Sequence, residues 1–326
     1  MEGHSWNDLV AGARRGEPRA LGRLITQVEN RETGWEDAMK AVFPYAGAAR
    51  LIGITGPPGA GKSSLTNGIA ARLVGRGHRV GIIAVDPTSP FSGGALLGDR
   101  LRMRSVDTAP GVFIRSMATR GTLGGLCQGA RDVARLLAAA GYDMVLLETV
   151  GVGQDEIEVV KAADLVVVVC VPGQGDGVQT LKAGIMEIAD VFVVNKADCD
   201  GADALVADIR AMQALTTHAA QAAPVLETCA VSGQGVEALV EALLAPPCRP
   251  EVLAARDDAR VREEILTLIE REIARGVRQR CAESGHLAAV VARVRSGAID
   301  PYSAAQAMVR TLTFADSPGT QEPSHG

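Results

Sequence analysis

The 326-residue chain has few aromatics: Phe, Trp and Tyr together make up 3% of it. Its core must therefore be built mainly from Ala, Val, Leu and Ile. Basic residues are not in excess. A formal net charge of −5 argues against a general nucleic-acid binder, which carries a basic surface. Long apolar runs are absent as well. The longest, "LVVVVCV" at Leu165–Val171, falls well short of the ~20 residues that span a bilayer. The start, "MEGHSWNDLV", has no basic stretch followed by an apolar one. No secretory signal or membrane association is expected, and the cytoplasm is the expected location. Cysteines at 127, 170, 199, 229, 248 and 281 form no CxxC pair. That spacing fits a reducing compartment and reduced thiols rather than a disulfide frame or a zinc site. Lysine is scarce: of 33 basic residues five are Lys, and Lys62, Lys182 and Lys196 fall inside motifs discussed below. Where Arg is the default cation, a retained Lys points to a need for a compact ammonium.

What is present has a clear order. No internal repeat is visible. The length allows one α/β domain of about 200 residues with flanking segments. Residues 1–47 read as a helical extension, with Leu21, Leu24, Ile25 and Val28 on one face. Across 48–247, short β-branched runs alternate with helical stretches: "LIGIT", "VGIIAV", "VFIRSM", "MVLLE", "LVVVVCV", "VFVVNK" and "PVLETC". Apolar runs of that length, separated by helices, predict a mostly parallel sheet covered on both faces. "APPCRP" marks a border, and 248–314 reads as helical. Val261, Ile265, Leu268, Ile269, Ile273 and Val277 form one stripe of a helix over 257–284. A second helix is predicted at "DPYSAA", with Asp300 as cap and Pro301 in the first turn. These helices either pack on the sheet or form a dimer interface. The tail, 315–326, reads as disordered.

"GPPGAGKSS" at Gly56–Ser64 matches G-x-x-x-x-G-K-[ST] between a strand and a helix. The loop Gly56, Pro57, Pro58, Gly59, Ala60 and Gly61 can curl its N–H groups around a β-phosphate, with the helix N-terminus behind it. Lys62 would bridge the β- and γ-phosphates, Ser63 would ligate Mg²⁺, and Ser64 would reach the α-phosphate. The fold expected is therefore α/β: a P-loop NTPase with a mostly parallel central sheet flanked by helices, plus helical N- and C-terminal extensions.

"VFVVNKAD" places Asn195, Lys196 and Asp198 after an apolar strand. The Asp198 carboxylate can accept from guanine N1–H and the 2-amino group, while adenine offers no such donors. A buried site of this kind discriminates by ~10⁴–10⁵. The Lys196 stem would lie on the purine face, and Asn195 would tie this loop to the phosphate loop. In "TCAVSG", the backbone of Cys229, Ala230 and Val231 is placed to donate to guanine O6. GTP and GDP are the expected ligands. Three acids end strands or lie in loops that should converge on the phosphates: Asp86, Asp99 and Glu148. Mg²⁺ takes six oxygens and keeps several waters, so these can act directly or through water. The stretch "ETVGVGQDE" then reads as a fixed acid, Glu148, followed by Gly151, whose N–H can meet the γ-phosphate, in a switch segment.

With these residues in place the chain closely resembles the MeaB/MMAA (ArgK-type) family of P-loop GTPases, chaperones of adenosylcobalamin-dependent acyl-CoA mutases. The resemblance runs through "ALGRLITQVEN", "GITGPPGAGKSSL", "VDPTSPFSGGALLGDRLRM", "RSMATRGTLGGL", "DMVLLETVGVGQDE", "VPGQGDGVQTLKAGIMEIAD", "VNKAD" and "IDPYSAA". It implies a first switch over Asp86–Met103, including Arg102, and a second over Glu148–Asp155, including Gln154. The family often has Ser where this chain has Asp155. It further implies a partner-responsive loop with Gln174, Asp176, Gln179 and Lys182, and a homodimer built with the terminal helices. The implied partner is a mutase of the methylmalonyl-CoA type, with an adenosyltransferase as a further candidate. Arg100, Arg102, Arg104, Arg115 and Arg120 crowd the first switch; most are expected to be solvated or paired with nearby acids, and one could stabilise the transferring phosphoryl group, an effect worth ~10³–10⁵ in rate. No glutamine follows "ETVG" directly, so slow hydrolysis stimulated by the partner is expected.

Two other readings stand beside this one. A small-molecule kinase linked to amino-acid transport would use the same cradle, although the guanine motif disfavours an ATP-driven enzyme. A nickel-delivery GTPase would need clustered Cys and His, whereas His4, His78, His218, His286 and His325 are dispersed.

Overall fold

The computed structural model describes residues 5–47, 49–86, 110–118, 123–149, 162–173, 188–216, 222–246, 250–283 and 286–314. Three helices open the chain, α1 (Trp6–Arg14), α2 (Pro18–Glu29) and α3 (Trp35–Val42), followed by a 3₁₀ turn at Phe43–Tyr45. Ser5 caps α1 by accepting the Asp8 N–H, and Pro18 opens α2, where a missing N–H costs nothing. Strands and helices then alternate: β1 (Arg50–Thr55), α4 (Lys62–Gly75), β2 (Val80–Asp86), β3 (Val112–Ala118), α5 (Leu123–Ala139), β4 (Met144–Thr149) and β5 (Leu165–Cys170). They continue through β6 (Val191–Asn195), α6 (Ala202–Thr216), β7 (Val225–Thr228) and α7 (Val236–Leu244).

All seven apolar runs picked out above are strands of one sheet, in the order β3-β2-β4-β1-β5-β6-β7. Every pairing between them is parallel. The continuous hydrophobicity of the runs follows from burial on both faces. Successive residues of β5 alternate between two cores: Val166 and Val168 join one, Leu165, Val167 and Val169 the other. The first core also takes in α1, α2, α5 and α6 through Leu9, Leu24, Ile25, Leu136, Leu137 and Ile209. The second is closed by α4 and α7 through Leu65, Ile69, Leu73, Leu239 and Leu243. The N-terminal helices thus share their core with the sheet. Cys170 faces the first core, and burial pushes its thiol up to about 12, which leaves it protonated and unreactive.

The chain divides into two compact units, Met1–Asp257 and Asp258–Gly326, and the border falls inside the long helix α8 (Pro250–Glu283). That helix starts earlier than the stripe from Asp257 suggested, because Pro250 supplies a ready first turn. At its base Arg256 pairs with Asp190 at 2.5 Å. The second unit also holds α9 (His286–Arg295) and α10 (Pro301–Phe314). Sequence reasoning named two terminal helices, and α9 is the one it missed. Its short run "HLAAVVARVR" is rich in Val, which forms helix weakly and gives little periodic signal. Asp300 caps α10 as expected: its Oδ1 accepts the Ser303 N–H at 2.9 Å, and bonding from Ser303 holds the carboxyl below its usual range. Among the described residues no helix is long and apolar enough to cross a membrane.

Candidate nucleotide site

β1 lies between β4 and β5, and the chain leaves it first toward β2 and later toward β5. Such a reversal opens a crevice at the carboxyl ends of the strands, where open α/β sheets take their ligands. Gly56–Ser64 sits there, between β1 and α4. The loop's glycines are required by close approach. A Cβ on Gly56 would lie 2.1 Å from the Val169 carbonyl oxygen, and one on Gly61, at φ 86°, would lie 2.4 Å from Asn195 Nδ2. Lys62 is the first residue of α4 and is 7% exposed. Its Nζ donates to the carbonyls of Gly56 at 2.6 Å and Pro57 at 3.1 Å, so the ammonium folds back over the loop. Pro58, Gly59 and Ser64 are exposed, while Ala60 is buried.

Ser63 Oγ donates to Glu148 Oε1 at 2.5 Å, joining α4 to the end of β4. Glu148 is 1% exposed, an acid delivered by an otherwise apolar strand. A hydroxyl and a carboxylate are hard oxygen donors, and Mg²⁺ takes oxygen ligands while keeping several waters. The pair therefore fits that ion beside a triphosphate. Asp86 ends β2, the strand adjacent to β4, where Ala84 pairs with Glu148, so its backbone reaches the same edge of the sheet. Its side chain lies outside the described residues. So do Asp99, Arg102, Gly151, Gln154, Asp155, Gln174, Asp176, Gln179 and Lys182.

The base motif follows β6. Asn195 is buried, and Nδ2 donates to the Ala60 carbonyl at 2.7 Å. Its Oδ1 accepts from Thr228 Oγ1 at 3.1 Å and from the Ala230 N–H at 3.0 Å. One amide thus joins phosphate loop, base strand and following loop. Lys196 adopts φ 60°, left-handed backbone that a non-glycine residue holds at a cost of ~1–3 kcal/mol. Its carbonyl accepts the Cys199 N–H at 2.9 Å, and the Ala197 N–H reaches the Thr228 carbonyl at 3.0 Å, which hold the turn. Lys196 and Asp198 are both exposed. In the Cys229–Val231 segment, the Cys229 N–H donates to the Gln234 carbonyl, and the Ala230 N–H is engaged by Asn195. Val231, 93% exposed, is the member whose N–H has no partner among the described residues.

Sequence reasoning passed over Thr228, although it lies inside the quoted "TCAVSG". Its hydroxyl orients Asn195, and a Thr closing the strand just before that loop was the available signal. It also passed over Arg72 of α4, which reaches the base loop. Arg115 takes the acid pairing expected of most of the first-switch arginines. It pairs with Glu29 of α2, with side-chain exposures of 21% and 11%, and so ties β3 to the N-terminal helices rather than standing ready as a phosphate-stabilising arginine. The physical reason lies in the strand: Arg115 points to the face on which α2 packs.

A glycine-rich loop between β1 and α4, a buried acid on the adjacent strand and a base motif bridged by Asn195 define a P-loop nucleotide-binding protein. The chain belongs to the family described as methylmalonyl Co-A mutase-associated GTPase MeaB, whose sequence model matches residues 21–284, and it is a GTPase of that family. A Pyrococcus abyssi protein with GTPase in its name is 44% identical over 313 residues, 94% of this chain and 96% of that protein. The GTPase ArgK of Escherichia coli is 42% identical over 197 residues, covering 59% of this chain and 60% of its own length. The methylmalonic aciduria type A homolog of Mus musculus is 36% identical over 220 residues, 63% of this chain and 52% of that protein. A crystal structure of an LAO/AO transport system kinase overlays with a TM-score of 0.66, at 24% identity, covering 96% of this chain and 99% of that one, and so has the same fold.

Proposed function

We propose that this GTPase is a switch that gates cobalamin loading into an adenosylcobalamin-dependent acyl-CoA mutase of the methylmalonyl-CoA type, and that protects that enzyme. The observation supporting it best is the pair of bridges at one sheet edge: Ser63 to Glu148 and Asn195 to Ala60. Through them a change at the phosphates is felt by both the acid strand and the base loop.

In this reading Lys62 leaves its loop carbonyls and turns to the β- and γ-phosphate oxygens, with the loop N–H groups and the α4 terminus behind them. Ser64 reaches the α-phosphate. Bound Mg²⁺, held by Ser63 with Glu148, Asp86 and Asp99 directly or through water, supplies charge neutralisation on the phosphate oxygens. Asp198 accepts from guanine N1–H and the 2-amino group, the Lys196 stem covers the ring, and the Cys229–Val231 backbone donates to O6 through Val231. Glu148–Asp155, with the Gly151 N–H on the γ-phosphate, and Asp86–Met103 are the two switches. Gln174, Asp176, Gln179 and Lys182 answer the partner, and 248–314 forms a homodimer. The protein then works in the cytoplasm, with a mutase and an adenosyltransferase as partners.

The test measures release of labelled phosphate from GTP, alone and with candidate mutases, for the wild type and Asp198→Asn. The wild type should turn over slowly and faster with its mutase. Asp198→Asn should move preference toward xanthine nucleotides, because an amide donates where the carboxylate accepted. Label appearing on arginine or ornithine would establish a kinase instead. Turnover and mutase lifetime indifferent to every candidate mutase would defeat the proposal.

A further inference from the structure

Arg72 projects from α4, the helix that begins in the phosphate cradle, and its guanidinium is engaged on three sides. Nη2 donates to the Gly233 carbonyl at 2.9 Å, Nη1 donates to the Gly68 carbonyl at 3.1 Å, and Nε lies 3.2 Å from Glu237 Oε2. The three partners belong to the base loop, to α4 itself and to α7. Arg76, the residue that caps the C-terminal end of α4, also pairs with Glu237 and lies 3.5 Å from Glu241, which holds the Glu237 carboxylate in place. Gly233 in turn closes the loop. Its N–H donates to the Cys229 carbonyl at 2.8 Å, while the Cys229 N–H donates to the Gln234 carbonyl at 3.0 Å. With Ala230 held by Asn195, the loop is pinned on both flanks, and Val231 stands between the pins.

We infer that Arg72 is a positioning residue for base selectivity, fixing loop 229–234 on the phosphate-binding helix so that its outward N–H is held where purine O6 arrives. The inference rests on the guanine reading proposed above. A donor already ordered loses no conformational freedom on binding, whereas a loose one must be ordered at the cost of affinity. The contact needs an arginine. A planar fork can serve Gly233, Gly68 and Glu237 together, but a lysine ammonium on a flexible stem cannot. Arg72 is engaged by Gly68, Gly233 and Glu237 and holds none of the positions assigned to the nucleotide, so its effect should appear in how one edge of the base is read.

The experiment is competition of GTP, 6-thio-GTP, ITP and ATP against a fluorescent GDP on full-length wild type, Arg72→Lys and Arg72→Gln. Sulfur at position 6 is a poorer acceptor for the loop N–H, and inosine lacks the 2-amino group assigned to Asp198. The wild type should favour GTP over 6-thio-GTP roughly tenfold, the scale of one hydrogen bond. In both variants that ratio should fall to about two as the donor loosens, while the GTP-to-ITP ratio stays at the wild-type value. Ratios taken on one preparation cancel any inactive fraction, so partial unfolding does not imitate the result. An unchanged sulfur ratio in the variants overturns the inference, and so does a parallel fall of both ratios, which would make Arg72 a general brace. A wild type indifferent to the sulfur overturns it too. Failure of the guanine reading itself is seen separately, as a wild type that binds ATP as tightly as GTP.

Discussion

Two helices with the same kind of pattern end up in opposite surroundings. On α2 the stripe Leu21, Leu24, Ile25 and Val28 is covered, with no member above 4% exposure. On α8 the stripe Val261, Ile265, Ile269 and Ile273 stays open, at 45% to 57% exposure. In sequence both are apolar positions spaced three and four apart with polar residues opposite. Periodicity therefore says that a helix has a face to cover, and not what will cover it. For α2 the cover is the chain's own α1 and α5. For α8 the proposed cover is a second copy, since burying that much apolar surface is what drives association.

The sharpest way to break this comparison is to cut the same size of side chain from each stripe. Leu24→Ala should lower stability by about 3 kcal/mol in urea unfolding, because a fully buried leucine leaves a cavity. Ile265→Ala, measured at dilutions that leave single chains, should cost no more than about 0.5 kcal/mol. Equal losses at the two positions would mean that the α8 stripe is covered within the chain. The next test concerns what holds α2 in place. Arg115→Ala strands the Glu29 carboxylate in a mostly covered position and should cost about 1–2 kcal/mol, less than a fully buried pair would. Adding Glu29→Gln should restore part of that loss, and a strictly additive double variant would count against the pair.

A small effect is also expected for a thinly covered ion pair. His78 and Asp143 meet at 2.6 Å with side-chain exposures of 29% and 53%. Burial alone would push the Asp143 carboxyl up, but bonds from His78 and the Arg79 N–H outweigh it and hold the group below its usual range. A depressed folded-state value contributes stability above the ordinary Asp range near ~4, and that contribution is lost as pH falls through the folded value. Asp143→Asn should thus cost less than about 1 kcal/mol at neutral pH. Its gap from the wild type should close on acidification below about pH 4. A gap that stays constant down to pH 2 would show that the charge contributes nothing.

Much of the fold was readable beforehand, and the reason is local. Runs such as "LVVVVC" are apolar at every position because both faces of β5 are buried, which identifies a parallel-sheet strand without any knowledge of its neighbours. The phosphate loop was readable because Gly56 and Gly61 occupy positions where a Cβ would collide. Arg72 was not readable, since a single arginine on an amphipathic helix looks the same whether it faces water or braces a loop. Arg115 was expected to be solvated or paired with an acid, and only the packing of α2 revealed Glu29 as that acid. Lys196 was singled out for its side chain, yet its left-handed backbone carries no sequence mark at all.

By itself the amino-acid sequence determined the strands and the phosphate loop, because each is governed by covalent geometry and short-range sterics within a few residues. Strand order, the meeting of Ser63 with Glu148 across 85 positions, and the choice of which stripe is covered came only with tertiary structure. Apolar attraction has no direction of its own, so it can demand that a face be hidden while leaving the partner to whatever the packed chain brings alongside.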